Sequence, residues 1–376
     1  MGSKRLWLGL AVTLVFLGLL FFRVEPGDPV NISYRFDLEA MVRTLRDANY
    51  AFVAPGIALY FLAVVFRTLR WRFLLSHLKS IPTSRLLPVV VVGYMANNLL
   101  PVRLGEVVRS YYLGQREGVS KSSALATIVL ERVFDGLTLL LLLAAAALVL
   151  PVGGLVEGLA ERSGIPVYLL VFGAVAPFVI VLALMITAAC WPGWPVRVLA
   201  PLTRRLPVKM GLSLVELTGL FIAGLVSLRD LRRVQMLLLL SLPVWLLEAS
   251  MLYVIGFSFE LQDHFSDQVE MAAVILAVTA TSNLATSLPS SQGGIGPFEF
   301  FAIGTLVVLG VSAPVATAYT ITMHVALLLP VVVAGLATLW WQHISFRDLS
   351  HMGKGGREVK PSVAVRETVE TEKRPW

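Results

Sequence analysis

The sequence has very little of what soluble proteins use for metal sites, disulfides and hydration. It contains one cysteine, Cys190, in 376 residues. A single cysteine excludes an intramolecular disulfide and a cysteine-based metal cluster. Charged residues make up only 15% of the chain, against about 25% in an ordinary soluble domain. Too few charges are therefore present to cover an apolar surface of this size, and a water-soluble fold is not expected.

Apolar residues dominate instead. They make up 57% of the chain, and the mean hydropathy is +0.78. A helix that crosses a membrane needs about 20 mostly apolar residues. Runs of this kind lie at about 6–22, 50–66, 123–150, 166–191, 236–257, 271–289 and 315–341, with shorter runs at 86–101, 211–228 and 297–311. The pattern predicts an all-α polytopic membrane protein with about eight transmembrane helices.

Loop charge predicts the orientation. The net charge of +7 would suit nucleic acid, but basic cytoplasmic loops are the simpler explanation in a membrane protein, so no nucleic-acid partner is expected. Segment 67–85 carries five basic residues and no acid, and 192–235 is also basic. Segment 258–270 has four acids and no Lys or Arg. These loops predict a cell-membrane protein with both termini in the cytoplasm.

Two of the shorter apolar runs are basic on both sides. A full crossing by 86–101 or 211–228 would place one basic flank outside. We therefore predict that 86–101 is re-entrant, and that 211–228 is either interfacial or re-entrant.

Two further segments are predicted from local pattern. Asp37 looks like the N-cap of an amphipathic helix over 37–47, which we expect on the outer membrane surface. Residues 1–345 would form the transmembrane domain. Residues 346–376, which mix charges with Gly, Ser and Pro, would form a disordered cytoplasmic tail.

Polar groups inside apolar runs are functional candidates because they are costly in lipid. The first group consists of Asn97, Asn98, Pro101, Arg103, Gly105, Glu106 and Arg109. Its Asn, Pro and Gly break a helix, and such backbone is tolerated at membrane depth only against protein or a watery cavity. Arg103 and Arg109 are predicted to bind an anionic group, with Glu106 steadying one of them. The alternative is a cytoplasmic loop whose arginines meet lipid headgroups.

The second group interrupts an apolar helix at Glu131, Arg132 and Asp135. The two acids are four residues apart and share one face of the helix. They require a cationic partner, for which Arg103 and Arg109 are the nearest in sequence. Arg132 is a further candidate for binding the anion. The alternative is a helix end at the cytoplasmic surface with snorkelling side chains.

The third group lies between two apolar runs and comprises Ser290, Ser291, Gly293, Gly294 and Gly296, followed by Pro297 and Glu299. The last two suit the first turn of the next helix. Backbone N–H groups exposed at such a break bind anions. The alternative is a polar turn between two ordinary spans.

The first and third groups resemble each other. Each has an Asn, then Leu-Pro, then Gly and Glu. Paired broken helices in the two halves of a chain are typical of a transporter site between inverted repeats, and we interpret them so. Two single residues lie inside spans. Glu248 is interpreted as a proton site, an ion-pair partner or a structural hydrogen bond, and His324 as a packed, satisfied histidine with a relay as the alternative. No spacing typical of a metal site occurs, and no cofactor is expected.

At these motifs the chain resembles the lysylphosphatidylglycerol synthase transmembrane-region family, also described as flippase-like. The resemblance covers about residues 6–341 and rests on Arg70-Trp71 with Leu74-Leu75, on Asn98 to Arg109, on Glu131 to Asp135 and on Pro289 to Glu299. It implies lipid handling. Members fused to an aminoacyl-transferring domain look like flippases, and stand-alone members are associated with envelope lipids and polyprenyl-phosphate-linked sugars. Only 35 residues follow Trp341, so lipid aminoacylation is not expected here.

Three functions follow as hypotheses. The leading one is a flippase for an anionic phospholipid or polyprenyl-phosphate-linked lipid, which is not an enzyme. Arg103, Arg109 and Arg132 would bind phosphate, and Glu106, Glu131 and Asp135 would fix those arginines. The second is a lipid-linked transferase with Asp135 or Glu131 as base, which no metal-ligand spacing supports. The third is a non-catalytic partner of a membrane glycosyltransferase. The sequence does not fix the oligomeric state.

Overall fold

The computed structural model describes residues 11–16, 18, 22–25, 28–34, 37–100, 104–150, 166–203, 208–287 and 292–342. The predictions for Arg103, for Ser290 and Ser291, and for the tail 346–376 lie outside these residues. Within the described residues the fold is mainly helical, which confirms the helical membrane class.

The elements follow one another along the chain. Residues 11–16 are helical, and two strands, β1 (Phe22–Glu25) and β2 (Asp28–Tyr34), pair antiparallel with Phe22 opposite Tyr34. The helices are α1 (Leu38–Asp47), α2 (Val53–Leu75), α3 (Thr83–Leu99), α4 (Gly105–Glu117), α5 (Lys121–Ala146), α6 (Val167–Cys190), α7 (Gly193–Thr203), α8 (Val208–Gly224), α9 (Leu231–Gly256), α10 (Gln268–Ala285), α11 (Pro297–Val308) and α12 (Ala313–Trp341). The hairpin was not predicted, although Val30, Ile32 and Tyr34 alternate as strand residues do.

Four helical stretches are long and apolar enough to cross a membrane, namely Tyr50–Leu75, Leu231–Phe259, Gln268–Ala285 and Ala313–Trp341. Phe178–Cys190 with Gly193–Leu199, bent by 102°, would be a fifth if the pair forms one span. Helix α5 is 26 residues long, but Glu131, Arg132 and Asp135 lie in its middle. The predicted total of about eight spans remains a prediction.

The structure corrects the predicted basic loop at 67–85. Helix α2 continues from the apolar run through to Leu75, so Arg67 and Arg70 lie inside a helix and not in a loop. Arg67 is 6% exposed and Arg70 is fully buried. Their charges are tolerated there because carboxylates on other helices pair with them.

Helix α1 follows the prediction for 37–47. It begins after Asp37, whose Oδ1 accepts a hydrogen bond from the Ala40 amide at 2.9 Å, and it ends at Asp47. Its apolar face, with Met41 and Leu45, packs against the core, and α1 contacts α12. The cap and the helix are confirmed, and the position on the outer membrane surface remains a prediction.

Small residues allow close packing between helices, as is common in membrane bundles. Helix α3 packs against α12, and α2 packs against α9. Gly335 of α12 lies against Met95 of α3, and a Cβ at this glycine would approach the Met95 Sδ to 2.8 Å and Cγ to 2.9 Å. No larger residue fits without moving a helix.

The Gly335→Val variant is therefore expected to lose about 1–3 kcal/mol of folding stability, because the added methyl groups overpack the interface between α3 and α12. Thermal unfolding of the detergent-solubilised protein measures the change. Gly304→Ala on α11 is the matched control, since its Cβ would meet no atom within 4 Å and the helix gains up to about 1 kcal/mol. Equal melting temperatures for both variants would contradict the packing described.

Candidate functional site

A cavity of about 340 Å³ lies among helices α2, α3, α5, α9, α10 and α12. Its volume is in the range of small-ligand sites. The polar side chains that line it include Tyr60, Arg67, Tyr94, Asn97, Asn98, Arg132, Asp135, Glu248, Asn283, Ser287 and His324. A lining of this polarity inside an apolar bundle is costly and therefore marks a functional site.

Arg70 is the centre of a buried ion-pair cluster behind this cavity. Its Nη1 donates to Asp135 Oδ1 at 2.7 Å and to Ser241 Oγ at 2.8 Å, and its Nη2 lies 3.6 Å from Glu131 Oε1. Trp245 Nε1 also donates to Asp135 Oδ1, at 3.0 Å. Because the Arg70 side chain is fully buried, these partners replace the water that its charge would otherwise need.

Arg67 joins α2 to α9 and α3. It forms an ion pair with Glu248 of α9, and its Nη1 donates to the Tyr94 hydroxyl at 3.0 Å. Its guanidinium lies 4.8 Å from the centre of the Trp245 ring, within the range of a cation–π interaction. Arg67 and Glu248 line the cavity as a matched pair. Of the three interpretations of Glu248, the ion-pair partner is the one that this geometry favours.

Arg109 supports the cluster from α4. Its Nη1 lies 2.7 Å from Glu131 Oε2, and its guanidinium stacks on the Trp71 ring at 3.6 Å. Trp71 in turn donates to Thr127 Oγ1 at 3.0 Å. Arg109 is only 5% exposed. It lies beside a separate cavity of about 10 Å³ and not in the lining of the larger one. Arg109 is thus a cationic partner of Glu131, as its position near the acids in sequence suggested, and its predicted contact with a phosphate stays a prediction.

Arg132 is the most exposed arginine of the ion-pair cluster. Its side chain is 38% exposed and lines the cavity. Its Nη2 lies 3.1 Å from Asp135 Oδ2 and 3.4 Å from the Tyr94 hydroxyl. A guanidinium presents five N–H donors, so the exposed part of the Arg132 side chain keeps donors available for a ligand.

The charges of the cluster nearly cancel. Its ion pairs join four guanidinium groups, Arg67, Arg70, Arg109 and Arg132, to three carboxylates, Glu131, Asp135 and Glu248. Glu106, beside the smaller cavity, brings the formal sum to zero. The cluster therefore carries no large net charge, and Arg132 is the most exposed of its four guanidinium groups.

At the first predicted break helix α3 ends at Leu99 and α4 begins at Gly105, and the two helices pack against each other. Asn97 Oδ1 accepts from the Gly105 amide at 2.7 Å, and Asn97 Nδ2 donates to Glu106 Oε1 at 3.3 Å. A Cβ at Gly105 would collide with the Gly93 carbonyl and with Asn97. Gly105 is thus required by close backbone packing and lies beside the smaller cavity, while Asn97 and Asn98 line the larger one.

The second predicted break ends in a turn at 292–296. Gly293, Gly294 and Gly296 have φ values of 69°, 79° and 101°, a region that favours glycine. Glu299 at the start of α11 accepts from the Gly296 amide at 2.7 Å. His324 of α12 lies 2.5 Å from Glu299 Oε1 through Nδ1 and 3.2 Å from the Gly293 carbonyl through Nε2.

The structure brings the two breaks to one cavity. Of the predicted residues, Asn97, Asn98, Arg132, Asp135, Glu248 and Gly293 line it. Gly294 and Glu131 are buried nearby, and Gly296 and Glu299 form the start of α11. Arg67, Arg70 and Tyr94 were not selected from the sequence as site residues. The spacing of Arg67 and Arg70, three apart after an apolar run, is the signal that points to them.

The chain is similar to a known protein family and to several known proteins. The family model described as the lysylphosphatidylglycerol synthase transmembrane region matches residues 6–335. Glycosyltransferase AglD of Haloferax volcanii is 26% identical over 336 residues, which cover 82% of this chain and 49% of the relative. The chain thus spans about half the length of that relative.

Two UPF0104 membrane proteins of Methanothermobacter thermautotrophicus match over more of their length. One is 26% identical over 285 residues, covering 72% of this chain and 77% of the relative. The other is 23% identical over 321 residues, covering 80% and 86%. No solved structure matches the chain significantly.

Proposed function

Because the chain belongs to the lysylphosphatidylglycerol synthase transmembrane-region family, we propose that it moves an anionic lipid between the two leaflets of the cell membrane. The lipid is a phospholipid or a polyprenyl-phosphate-linked lipid, and the protein acts as a carrier and not as an enzyme. The observation that carries this proposal is the polar cavity of about 340 Å³ where the two broken segments meet inside an apolar bundle.

The cavity supplies hydrogen-bond partners that an anionic headgroup lacks in the hydrocarbon core of the membrane. A charged group in hydrocarbon lacks hydrogen-bond partners and is strongly disfavoured. Arg132 supplies a charged donor, and Asn97, Asn98 and Asn283 supply amide groups around it. The ion pairs of Arg70 and Arg109 fix Asp135 and Glu131 behind Arg132. A headgroup bound there keeps its polar contacts while its acyl or prenyl chain stays in lipid.

The finer architecture belongs to the same proposal. The packing of α3 against α4, in which the Gly105 amide donates to Asn97 Oδ1, supports a re-entrant segment over 86–101. The meeting of the two breaks at one cavity supports inverted repeats within about eight spans. Helix α8 packs against α5 through Ser123 Oγ, which donates to the Leu220 carbonyl at 2.6 Å. That contact supports an interfacial or re-entrant position for 211–228, and both termini are then cytoplasmic.

A second function is favoured by one comparison. The relative AglD carries the name of a glycosyltransferase, and this chain matches 49% of its length. A chain that holds a separate glycosyltransferase at the membrane, without moving lipid itself, would fit that relationship. This second function predicts that the enzyme co-purifies with the chain and that Arg132 is not needed.

Native mass spectrometry of the protein, extracted gently from its own membranes, tests the proposed substrate class. We expect an anionic or polyprenyl-linked lipid to stay bound to the wild type and to be lost from Arg132→Gln. Arg85→Gln is the matched control, because the Arg85 side chain is 68% exposed and lies outside the cavity lining. Lipid retention that does not depend on Arg132 would contradict the proposal.

A further inference from the structure

The imidazole of His324 faces two hydrogen-bond acceptors, one at each ring nitrogen. Its Nδ1 lies 2.5 Å from Glu299 Oε1, and its Nε2 lies 3.2 Å from the carbonyl oxygen of Gly293. A carbonyl oxygen and a carboxylate are both acceptors, whereas a neutral imidazole carries a single N–H. One of the two contacts is therefore unsatisfied unless a further proton is present.

Counting protons gives two arrangements that satisfy both contacts. In one, His324 is an imidazolium that donates to Glu299 and to Gly293. In the other, Glu299 is protonated and donates to Nδ1, while Nε2–H donates to Gly293. Both arrangements hold two protons on the pair. With one proton fewer, a ring lone pair faces either the carboxylate or the carbonyl, and that contact becomes repulsive.

The two contacts hold the glycine turn against helix α12. Gly293 is held by His324, and Gly296 is held by Glu299, whose Oε2 accepts from its amide at 2.7 Å. Phe298 stacks on the imidazole with ring centres 4.1 Å apart. Gly293 and His324 also line the cavity. The number of protons on the His324–Glu299 pair thus decides whether both contacts form between helix α12 and the turn in the cavity wall.

We propose that His324 and Glu299 form a proton-binding site that latches the turn 292–296 to helix α12. With the proton bound, the turn is fastened. When the proton leaves, one of the two contacts becomes repulsive, so the turn is held less firmly against α12 and the adjoining cavity wall becomes more mobile. The inference concerns the bonding of the turn and does not rest on lipid transport.

Other titratable groups line the same cavity as His324. They are Tyr60 and Arg67 on α2, Tyr94 on α3, Arg132 and Asp135 on α5, and Glu248 on α9. Arg67 pairs with Glu248, and Arg132 with Asp135. On α12 itself, Tyr319 donates to the Leu252 carbonyl. The charged residues of α1, which also packs on α12, are exposed. The helical residues 11–16 carry no titratable side chain, and Thr13 donates to the Ile295 carbonyl.

Hydrogen–deuterium exchange of the whole solubilised protein tests the latch. The exchange of a peptide covering 292–300 is measured between about pH 5 and about pH 9, and the rate is divided by the intrinsic exchange rate at each pH. The wild type is expected to lose protection by roughly tenfold or more as pH rises, the size expected for losing a hydrogen bond to a charged group.

Two variants move the result in opposite directions. Gln at position 299 donates to the Nδ1 of a neutral imidazole and accepts from Gly296, so Glu299→Gln is expected to lose no protection as pH rises. His324→Leu has no donor for either acceptor and is expected to be unprotected throughout. His264→Gln, at an exposed histidine, should keep the wild-type profile. A flat wild-type profile, or the wild-type pH dependence surviving in Glu299→Gln, would overturn the proposal even if His324→Leu failed to fold.

Discussion

Replacing Arg70 by alanine is expected to remove most of the folded protein, because a buried ion pair that loses one partner costs about 3–5 kcal/mol. Native proteins have only about 5–15 kcal/mol of stability in total. Without Arg70, the partners left among the described residues are Arg132 and Trp245 for Asp135, and Arg109 for Glu131. Denaturant unfolding in detergent, followed by tryptophan fluorescence, measures the loss.

Arg72→Ala is the matched control for this prediction. Arg72 lies two residues away on the same helix and is exposed, and it donates only to Thr83 Oγ1 at 3.3 Å. A surface change of this kind alters stability by about 0.5 kcal/mol or less. The double variant Arg70→Gln, Asp135→Asn should recover part of the loss, since it removes one of the uncompensated charges. Similar stabilities for Arg70→Ala and Arg72→Ala would show that the cluster does not hold the bundle together.

Arg132→Gln is expected to slow lipid movement by tenfold or more while leaving the fold intact. A charge-assisted hydrogen bond is worth about 1.5–3 kcal/mol, which corresponds to roughly ten- to a hundredfold in rate. The fold survives because Asp135 keeps Arg70 at 2.7 Å and Trp245 at 3.0 Å. The measurement is the transbilayer movement of a fluorescent anionic lipid in proteoliposomes, with a melting curve for each variant.

Arg132→Lys separates charge from geometry. Lysine keeps the positive charge but loses the planar fork of donors, so its rate should fall between those of the wild type and Arg132→Gln. Arg85→Gln, outside the cavity lining, should move lipid at the wild-type rate. Unchanged lipid movement in Arg132→Gln would contradict the proposal that the lipid headgroup binds in this cavity.

Local features of the fold were predictable because their causes are local. The N-cap at Asp37 and the amphipathic repeat after it lie within one short segment, and helix α1 follows them closely. The breaks near Gly105 and Gly293 were also predicted, since Gly, Pro and Asn disfavour a continuous helix wherever they occur. The family resemblance was confirmed over residues 6–335.

The buried arginines were missed because their partners are distant along the chain. Arg67 pairs with a residue 181 positions away, and Arg70 with one 65 positions away. From charge alone, Arg67 and Arg70 were assigned to a cytoplasmic loop, and only the packing of α2 against α5 and α9 shows them to be buried. The contact between His324 and Glu299 was missed for the same reason, since Glu299 reaches His324 from another helix.

The site was predicted in outline and altered in detail. Arg132, Asn97, Asn98 and Gly293 line one cavity, as the pairing of two breaks suggested. Arg109 was expected at the phosphate but lies against Trp71 and Glu131. Sequence spacing fixes which face of a helix a side chain occupies, and it does not fix which neighbouring helix that face meets.

The most direct test of the central claim is the movement of lipid by the wild-type protein itself. Proteoliposomes would carry a headgroup-labelled anionic phospholipid or a labelled polyprenyl-phosphate lipid, and a membrane-impermeant quencher would report the exposed fraction over time. We expect the wild type to accelerate the exposure of at least one of these lipids over protein-free liposomes, and Arg132→Gln to abolish the gain. No acceleration with any anionic or polyprenyl-linked lipid would contradict the carrier function and leave the glycosyltransferase partner as the account of this chain.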